Sequence, residues 1–148
     1  LKELSADGFV FYTNYNSDKS KALFANPKVS LSFVWPNLER QVIISGTARK
    51  VASEVSDTYF ASRPRGSQIG AHVSPQSDVI ASREVLEARQ EALKKQFEGM
   101  DIPRPSHWGG IAVTPFEMEF WQGRPNRLHD RFVYLKSADT WSKQRKAP

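Results

Sequence analysis

The sequence predicts an α+β domain built on an antiparallel β-barrel, with helices inserted between and flanking the strands. Three observations predict it. Runs of β-branched and aromatic residues recur along the chain, most of them closed by a Gly, Asn or Pro turn signal. Several intervening segments carry helical spacing rather than strand alternation. No GxGxxG or Walker pattern is present, so a βαβ nucleotide fold lacks its fingerprint.

Each element has its own signal. After the turn Ala6-Asp7-Gly8, the run Phe9-Val10-Phe11-Tyr12-Thr13 predicts a strand buried on at least one face. Ser17 is placed to cap a short helix reaching Asn26, with Ala22 and Leu23 as core residues and Asn26-Pro27 as its stop. Val29 to Phe33 alternates apolar and polar at period two and ends at the Trp35-Pro36 turn. Arg40 to Val51 reads as one long strand, bent or bulged at Gly46, and long bent strands suit a barrel. Ser53 to Arg63 predicts a helix capped by Ser53, with Val55, Tyr59 and Phe60 at helical spacing and Pro64 ending it.

A second short helix is expected over Gln68 to Val73. Ser82 with Glu84 to Phe97 gives the plainest helical pattern, in which Val85, Leu86, Leu93 and Phe97 form an apolar stripe and Gly99 is the stop. A Pro-rich connector, Ile102 to Pro105, leads to Trp108-Gly109-Gly110 and a strand from Ile111 to Thr114. Two further, separate strands are expected at Glu117 to Gln122 and Arg131 to Leu135, the second reached through a polar, Arg-rich loop. No internal repeat or low-complexity segment appears.

Composition narrows the function classes. A chain of 148 residues fits a single domain, and its aromatic content supplies the burial that offsets the entropy of ordering. With no cysteine there is no disulfide framework, thiol nucleophile or Cys-based metal site, so redox chemistry requires a bound cofactor. No apolar run approaches the length of a membrane span and no signal peptide is visible, so a soluble, cytoplasmic protein without a membrane partner is expected. The formal charge of +5 favours anionic ligands. Its spread along the chain, rather than in one tail, gives nucleic acid no particular support. The start, Leu1-Lys2-Glu3-Leu4, has no initiator Met and reads as a chain cut inside an element.

Two constellations carry chemistry. Trp121 to Arg131 gathers Arg124, Arg127, Arg131 and His129 beside an aromatic ring, a set that can bind phosphate and move a proton near neutral pH. Arg127 and His129, two apart on an extended chain, are expected on one side. Composition alone favours a surface hairpin paired through Asp130. The second constellation is Tyr59 to Gly70. There Tyr59 and Arg63 stand at i and i+4 on one expected helix face, and Ser67 opens the next helix, whose backbone N–H groups favour an anion. A solvated interhelical turn explains Arg-Pro-Arg-Gly as well. Gln41, Gln76 and Ser77 are suited to bonding a heterocycle or to capping turns, and Tyr12-Thr13 with Lys19 to holding a phosphate or ending a strand. His72 and His107 lack a partner at metal-ligand spacing and are expected to be structural.

In order and spacing, GFVFYTN from Gly8, NPKVSLSFVW from Asn26, ERQVIISG from Glu39, YFASRPRGSQIGAHVSPQSDVI from Tyr59, WGG from Trp108 and EFWQGRPNRLHDRFVY from Glu119 resemble the pyridoxine/pyridoxamine 5'-phosphate oxidase family. The resemblance covers nearly the whole chain. It implies one FMN-binding split-barrel domain over residues 1–148, of Greek-key-like antiparallel build, lacking the family's N-terminal segment. It also implies a homodimer with two flavin sites at the interface, each drawing on both chains. Tyr12, Thr13, Lys19, Gln41, Gln76, Ser77, Trp121 and Arg131 would hold FMN. Lys2, Tyr59, Arg63 and Ser67 would hold the substrate phosphate, and Arg127 and His129 would lie over the pyridine ring as the catalytic pair. The implied reaction is oxidation of pyridoxamine or pyridoxine 5'-phosphate by dioxygen to pyridoxal 5'-phosphate, with release of hydrogen peroxide.

Three departures from the family pattern stand out. An Arg-rich strand that ends in Leu-Leu-Lys in the family is represented by Leu1-Lys2, Asp18 stands where an Arg usually precedes Lys19, and the C-terminal Arg-Leu-Ala-Pro reads Arg145-Lys146-Ala147-Pro148. The first two also motivate an alternative, a binding module that holds FMN or a vitamin B6 phosphate without turnover.

Overall fold

A computed structural model describes residues 1–148. Its strands are β1 (Glu3–Ser5), β2 (Gly8–Asn14), β3 (Lys28–Trp35), β4 (Arg40–Lys50), β5 (Trp108–Gln122), β6 (Asp130–Ser137) and β7 (Thr140–Lys146). Helix α1 (Asp18–Ala25) lies between β2 and β3, and α2 (Ser53–Ala61), α3 (Arg65–Val73) and α4 (Arg83–Gln96) lie between β4 and β5. All pairings are antiparallel.

The long strand β5 organises the sheet. One of its edges pairs with β4, from Lys50↔Ile111 to Arg40↔Gln122, and β3 closes that side. Its other edge is shared: β2 takes the first half, with Thr13 opposite Gly109, and β6 takes the second, with Arg131 opposite Trp121. Strand β1 extends β2 and β7 extends β6, and no pairing joins the outer strands into a ring. The barrel is therefore split rather than closed, consistent with the expected α+β split-barrel class.

The strands expected at Ile111–Thr114 and Glu117–Gln122 are one element. Pro115 reads as a break, but the ladder passes it through a register shift, with Ser45 opposite Glu117 and Gly46 opposite Pro115, so that Phe116 is the extra residue. Gly46 is required there, since a Cβ at this position would stand 2.6 Å from Thr114 O and from Val113 Cγ1. Ser17 caps α1 as expected, its side chain accepting from the Ser20 N–H. Ser53 does not cap α2. It is the first helical residue, and its Oγ accepts from Arg104 Nη2 at 2.9 Å. Helix α3 begins at Arg65 rather than Gln68, because Pro64 supplies the turn from which the helix starts.

The principal core lies where α2 and α3 meet β5. Phe60, Ile69, Val73, Ile102 and Trp108 are buried together, with Leu86, Leu93 and Phe97 of the α4 stripe packed against them. Val55, expected in the apolar pattern of α2, is instead exposed. His72 and His107 each bond a backbone carbonyl, of Pro103 and Ala71 respectively, in keeping with structural roles. No helix is long and apolar enough to cross a membrane.

Candidate functional site

The first group of site residues gathers where α2 gives way to α3. Helix α2 ends at Ala61, so Arg63 is not on the helix face of Tyr59 as its spacing suggested; it occupies the turn before Pro64. The turn still points both into one cleft. Lys2, Tyr12, Tyr59, Arg63 and Ser67 line a cavity of about 330 Å³ together with Trp108. Lys2 reaches it because its N–H bonds Val10 O at 2.9 Å, holding the chain's first residues against β2. Ser67 stands in the first turn of α3, where unpaired N–H groups and the helix dipole favour an anion.

Aromatic rings wall this cleft. Tyr12 and Tyr59 stack at 3.7 Å, and both lie nearly parallel to Trp108, at 5.6 and 6.3 Å. Gly110, opposite Tyr12 in the ladder, makes room, since a Cβ there would come within 3.0 Å of the Tyr12 ring. The Arg63 guanidinium lies 4.5 Å from the Trp108 ring centre, and its Nη1 is buried without a hydrogen-bond partner. Burial pulls the Arg63 pKa below the usual arginine value, and no carboxylate opposes that shift. A half-buried guanidinium that meets no carboxylate of its own chain remains available to an outside anion. A phosphate ester has the right charge and acceptor geometry.

A second group surrounds the start of α1. Gln76 Oε1 accepts from the Asn14 N–H at 3.3 Å and from Thr13 Oγ1 at 3.5 Å, leaving the Gln76 amide N–H₂ free to donate. Ser77, at a left-handed φ of 78°, accepts from the Asp18 N–H through its Oγ at 3.2 Å. Lys19 projects nearby over Phe11. Asp18 occupies the first helical position, where an acid complements the helix dipole, and forms an exposed pair with Lys21 at 3.7 Å. This donor set suits a phosphate-bearing, hydrogen-bonding ligand such as FMN, with Asp18 as the one discordant charge.

The third group lies at the far end of β5. Gln41, Trp121 and Arg131 are directly opposite one another across β4, β5 and β6. The His129 ring lies against Trp121, tilted by 44° with centroids 4.8 Å apart, and its Nδ1 accepts from the Arg124 N–H at 3.1 Å, which assigns the neutral ring's proton to Nε2. The expected extended path from Arg127 to His129 is absent. Pro125–Arg127 is a 3-10 turn in which Asn126 and Arg127 have φ of 58° and 61°, so the two side chains are not set on one side by strand alternation.

Acids neutralise most of the arginines here. Asp130 bonds Arg124 at 2.8 Å and Arg145 at 2.6 Å, which holds its carboxyl below the usual range. Glu119 grips Arg131 with both oxygens, at 2.8 and 3.0 Å, and Arg131 in turn holds the Glu119 carboxyl low. Arg127 forms neither an ion pair nor a side-chain hydrogen bond within the chain and is exposed. The Asp130-paired hairpin and a free arginine are thus both present.

The chain does not bring the three groups into one pocket. Tyr12 pairs with Gly110 and Gln41 with Trp121, eleven positions further along β5. At about 3.3 Å per residue, that is roughly 35 Å of strand. The residues expected at the substrate phosphate and those expected over its ring therefore occupy opposite ends of the sheet. Trp108 was noticed in the sequence as part of a Trp-Gly-Gly motif but not as a cleft wall; the two following glycines, which admit close neighbours, were the signal.

Solved structures share the split-barrel fold. PhzG from Burkholderia lata 383, in complex with tetrahydrophenazine-1-carboxylic acid, superposes with a TM-score of 0.90 at 28% identity over 99% of this chain and 72% of its own. A pyridoxamine 5'-phosphate oxidase-related, FMN-binding protein from Nostoc punctiforme shares the fold at a TM-score of 0.70 and 14% identity, over 94% of this chain and 71% of its own. Residues 3–97 match the family model described as pyridoxamine 5'-phosphate oxidase, and residues 108–148 match the C-terminal dimerisation region of pyridoxine 5'-phosphate oxidase. The chain is 58% identical to the pyridoxine/pyridoxamine 5'-phosphate oxidase of Flavobacterium johnsoniae, over 98% of its length and 68% of the relative's. It is 54% identical to that of Trichormus variabilis, over 100% of its length and 70% of the relative's. The chain belongs to the pyridoxine/pyridoxamine 5'-phosphate oxidase family, whose members are FMN-dependent oxidoreductases.

Proposed function

We propose that this chain, as a homodimer with FMN, oxidises pyridoxamine or pyridoxine 5'-phosphate to pyridoxal 5'-phosphate, with dioxygen as the final acceptor. The observation that carries the reading is that Arg63, which meets no carboxylate of its own chain, lines a cleft that also presents Lys2, Tyr59 and Ser67. These four residues hold the substrate phosphate. Arg127, free of acids, and His129, with its proton on Nε2, approach the pyridine ring and its substituent. They orient it, and His129 holds or moves a proton there.

Tyr12, Thr13, Lys19, Gln41, Gln76, Ser77, Trp121 and Arg131 hold FMN. When bound, FMN would supply the redox chemistry, a two-electron oxidation of the substrate with dioxygen as the final acceptor and hydrogen peroxide as its product. Residues 1–148 act as one FMN-binding split-barrel domain. The separation along β5 supports a site built from two chains. A two-fold axis would set the Arg63 end of one protomer against the Arg127 end of its partner, and the match to a dimerisation region supports a dimer.

Asp18 supports a second reading, a module that binds the ligands without turnover. Purified protein loaded with FMN, desalted and mixed anaerobically with pyridoxamine 5'-phosphate separates the two. Bleaching of the flavin, followed by oxygen uptake and peroxide release on admitting air, supports the oxidase. Retained flavin and bound substrate with no bleaching support the binding module.

A further inference from the structure

We infer that Trp108 is a positioning residue for phosphate recognition: its indole holds the Arg63 guanidinium at the wall of the cleft without using its N–H donors. The inference rests on the reading of this cleft as the phosphate site. Trp108 is buried and lines the cleft itself. Arg63 lies 4.5 Å from the Trp108 ring centre and 5.7 Å from that of Phe60, while Tyr12 and Tyr59 are stacked in parallel with the same indole.

The chemistry explains why an aromatic ring does this better than an acid. A carboxylate holds an arginine through its N–H donors, as Glu119 does with Arg131, and so uses the donors a phosphate needs. An aromatic face attracts the cation through its quadrupole and leaves the in-plane donors free. Trp108 is itself anchored. Its carbonyl accepts from Arg104 Nη1 at 2.6 Å, and the same arginine bonds Asp57 at 2.6 Å and Ser53 at 2.9 Å on α2, the helix that carries Tyr59. Arg104 thus ties the Trp108 backbone to α2.

The test uses the FMN-loaded protein and two non-reactive probes, 4-deoxypyridoxine 5'-phosphate and 4-deoxypyridoxine, whose dissociation constants are measured by calorimetry. Trp108→Leu is expected to weaken the phosphorylated probe by roughly tenfold, the scale of a desolvated cation–π contact. The unphosphorylated probe is expected to be held as before, and Trp108→Phe to recover most of the loss. Equal weakening of both probes would reduce Trp108 to core packing and overturn the inference. If Trp108→Leu does not fold, Trp108→Phe decides: a smaller loss confined to the phosphorylated probe supports the inference, and no such loss overturns it. Arg63→Ala separates the levels. If it leaves the phosphorylated probe unaffected, the phosphate reading of the cleft fails, and the inference with it.

Discussion

Arg63 and Arg131 stand at the two ends of the sheet, and the chain treats them in opposite ways. Arg131 meets a carboxylate of its own chain, and each holds the other in its charged form. Arg63 is half-buried against rings, with no acid beside it. The difference separates a group whose charge is already neutralised from one that needs an outside anion. On the proposed assignment, Arg131 would meet FMN chiefly through its remaining N–H donors and its fixed position, whereas Arg63 would offer its ligand net charge as well.

That contrast is broken most sharply by substitution at each end. Arg63→Ala is expected to raise KM for pyridoxamine 5'-phosphate roughly hundredfold, the scale of losing charge-assisted hydrogen bonds, with FMN affinity little changed. Steady-state kinetics and flavin fluorescence titration check both halves. Arg127→Ala is expected to lower kcat on the order of a hundredfold through lost orientation, again with FMN retained. Arg131→Ala should do the reverse, weakening FMN roughly tenfold with a smaller effect on turnover of the loaded enzyme. Equal effects of the two substitutions on FMN affinity would refute this division of labour.

Smaller effects sharpen the comparison. Asp18→Arg is expected to tighten FMN binding by about threefold, because the Asp18 side chain is exposed and its charge is screened. Glu119→Gln tests the neutralised end by pH. The folded pKa of Glu119 is depressed by Arg131, so its contribution to stability is present above the unfolded value of about 4.3 and is lost as pH falls through the folded value. Melting temperatures of the wild type should fall more steeply than those of Glu119→Gln in that acid window, and parallel curves would contradict the assignment.

Much of this was legible in the sequence because local signals agreed with tertiary ones. The Ser17 cap, the Gly46 bulge and the α4 stripe each follow from residue chemistry at short range. What was not legible depended on partners distant in sequence. Pro115 looked like a strand end until the matching irregularity at Gly46 gave it a bulge to sit in. Strand β7 is exposed throughout and has no alternation to betray it. The chemistry of the Arg-rich loop was visible, but its left-handed turn at Asn126 and Arg127 was not, and neither was the choice of Arg127 as the arginine left free. Motif resemblance named the site residues, whereas their division between two ends of β5 required the fold.

A complementation experiment tests most directly whether those two ends form one site across two chains. Arg63→Ala and Arg127→Ala proteins would be mixed, unfolded and refolded together with FMN, and assayed for pyridoxamine 5'-phosphate oxidation at substrate concentrations near the wild-type KM, where each alone is nearly inactive. Random pairing makes half of the dimers mixed, and each mixed dimer carries one site with both Arg63 and Arg127 intact. Activity should therefore return to roughly one quarter of wild type. A mixture no more active than its two components would place Arg63 and Arg127 in a site within a single chain and contradict the account.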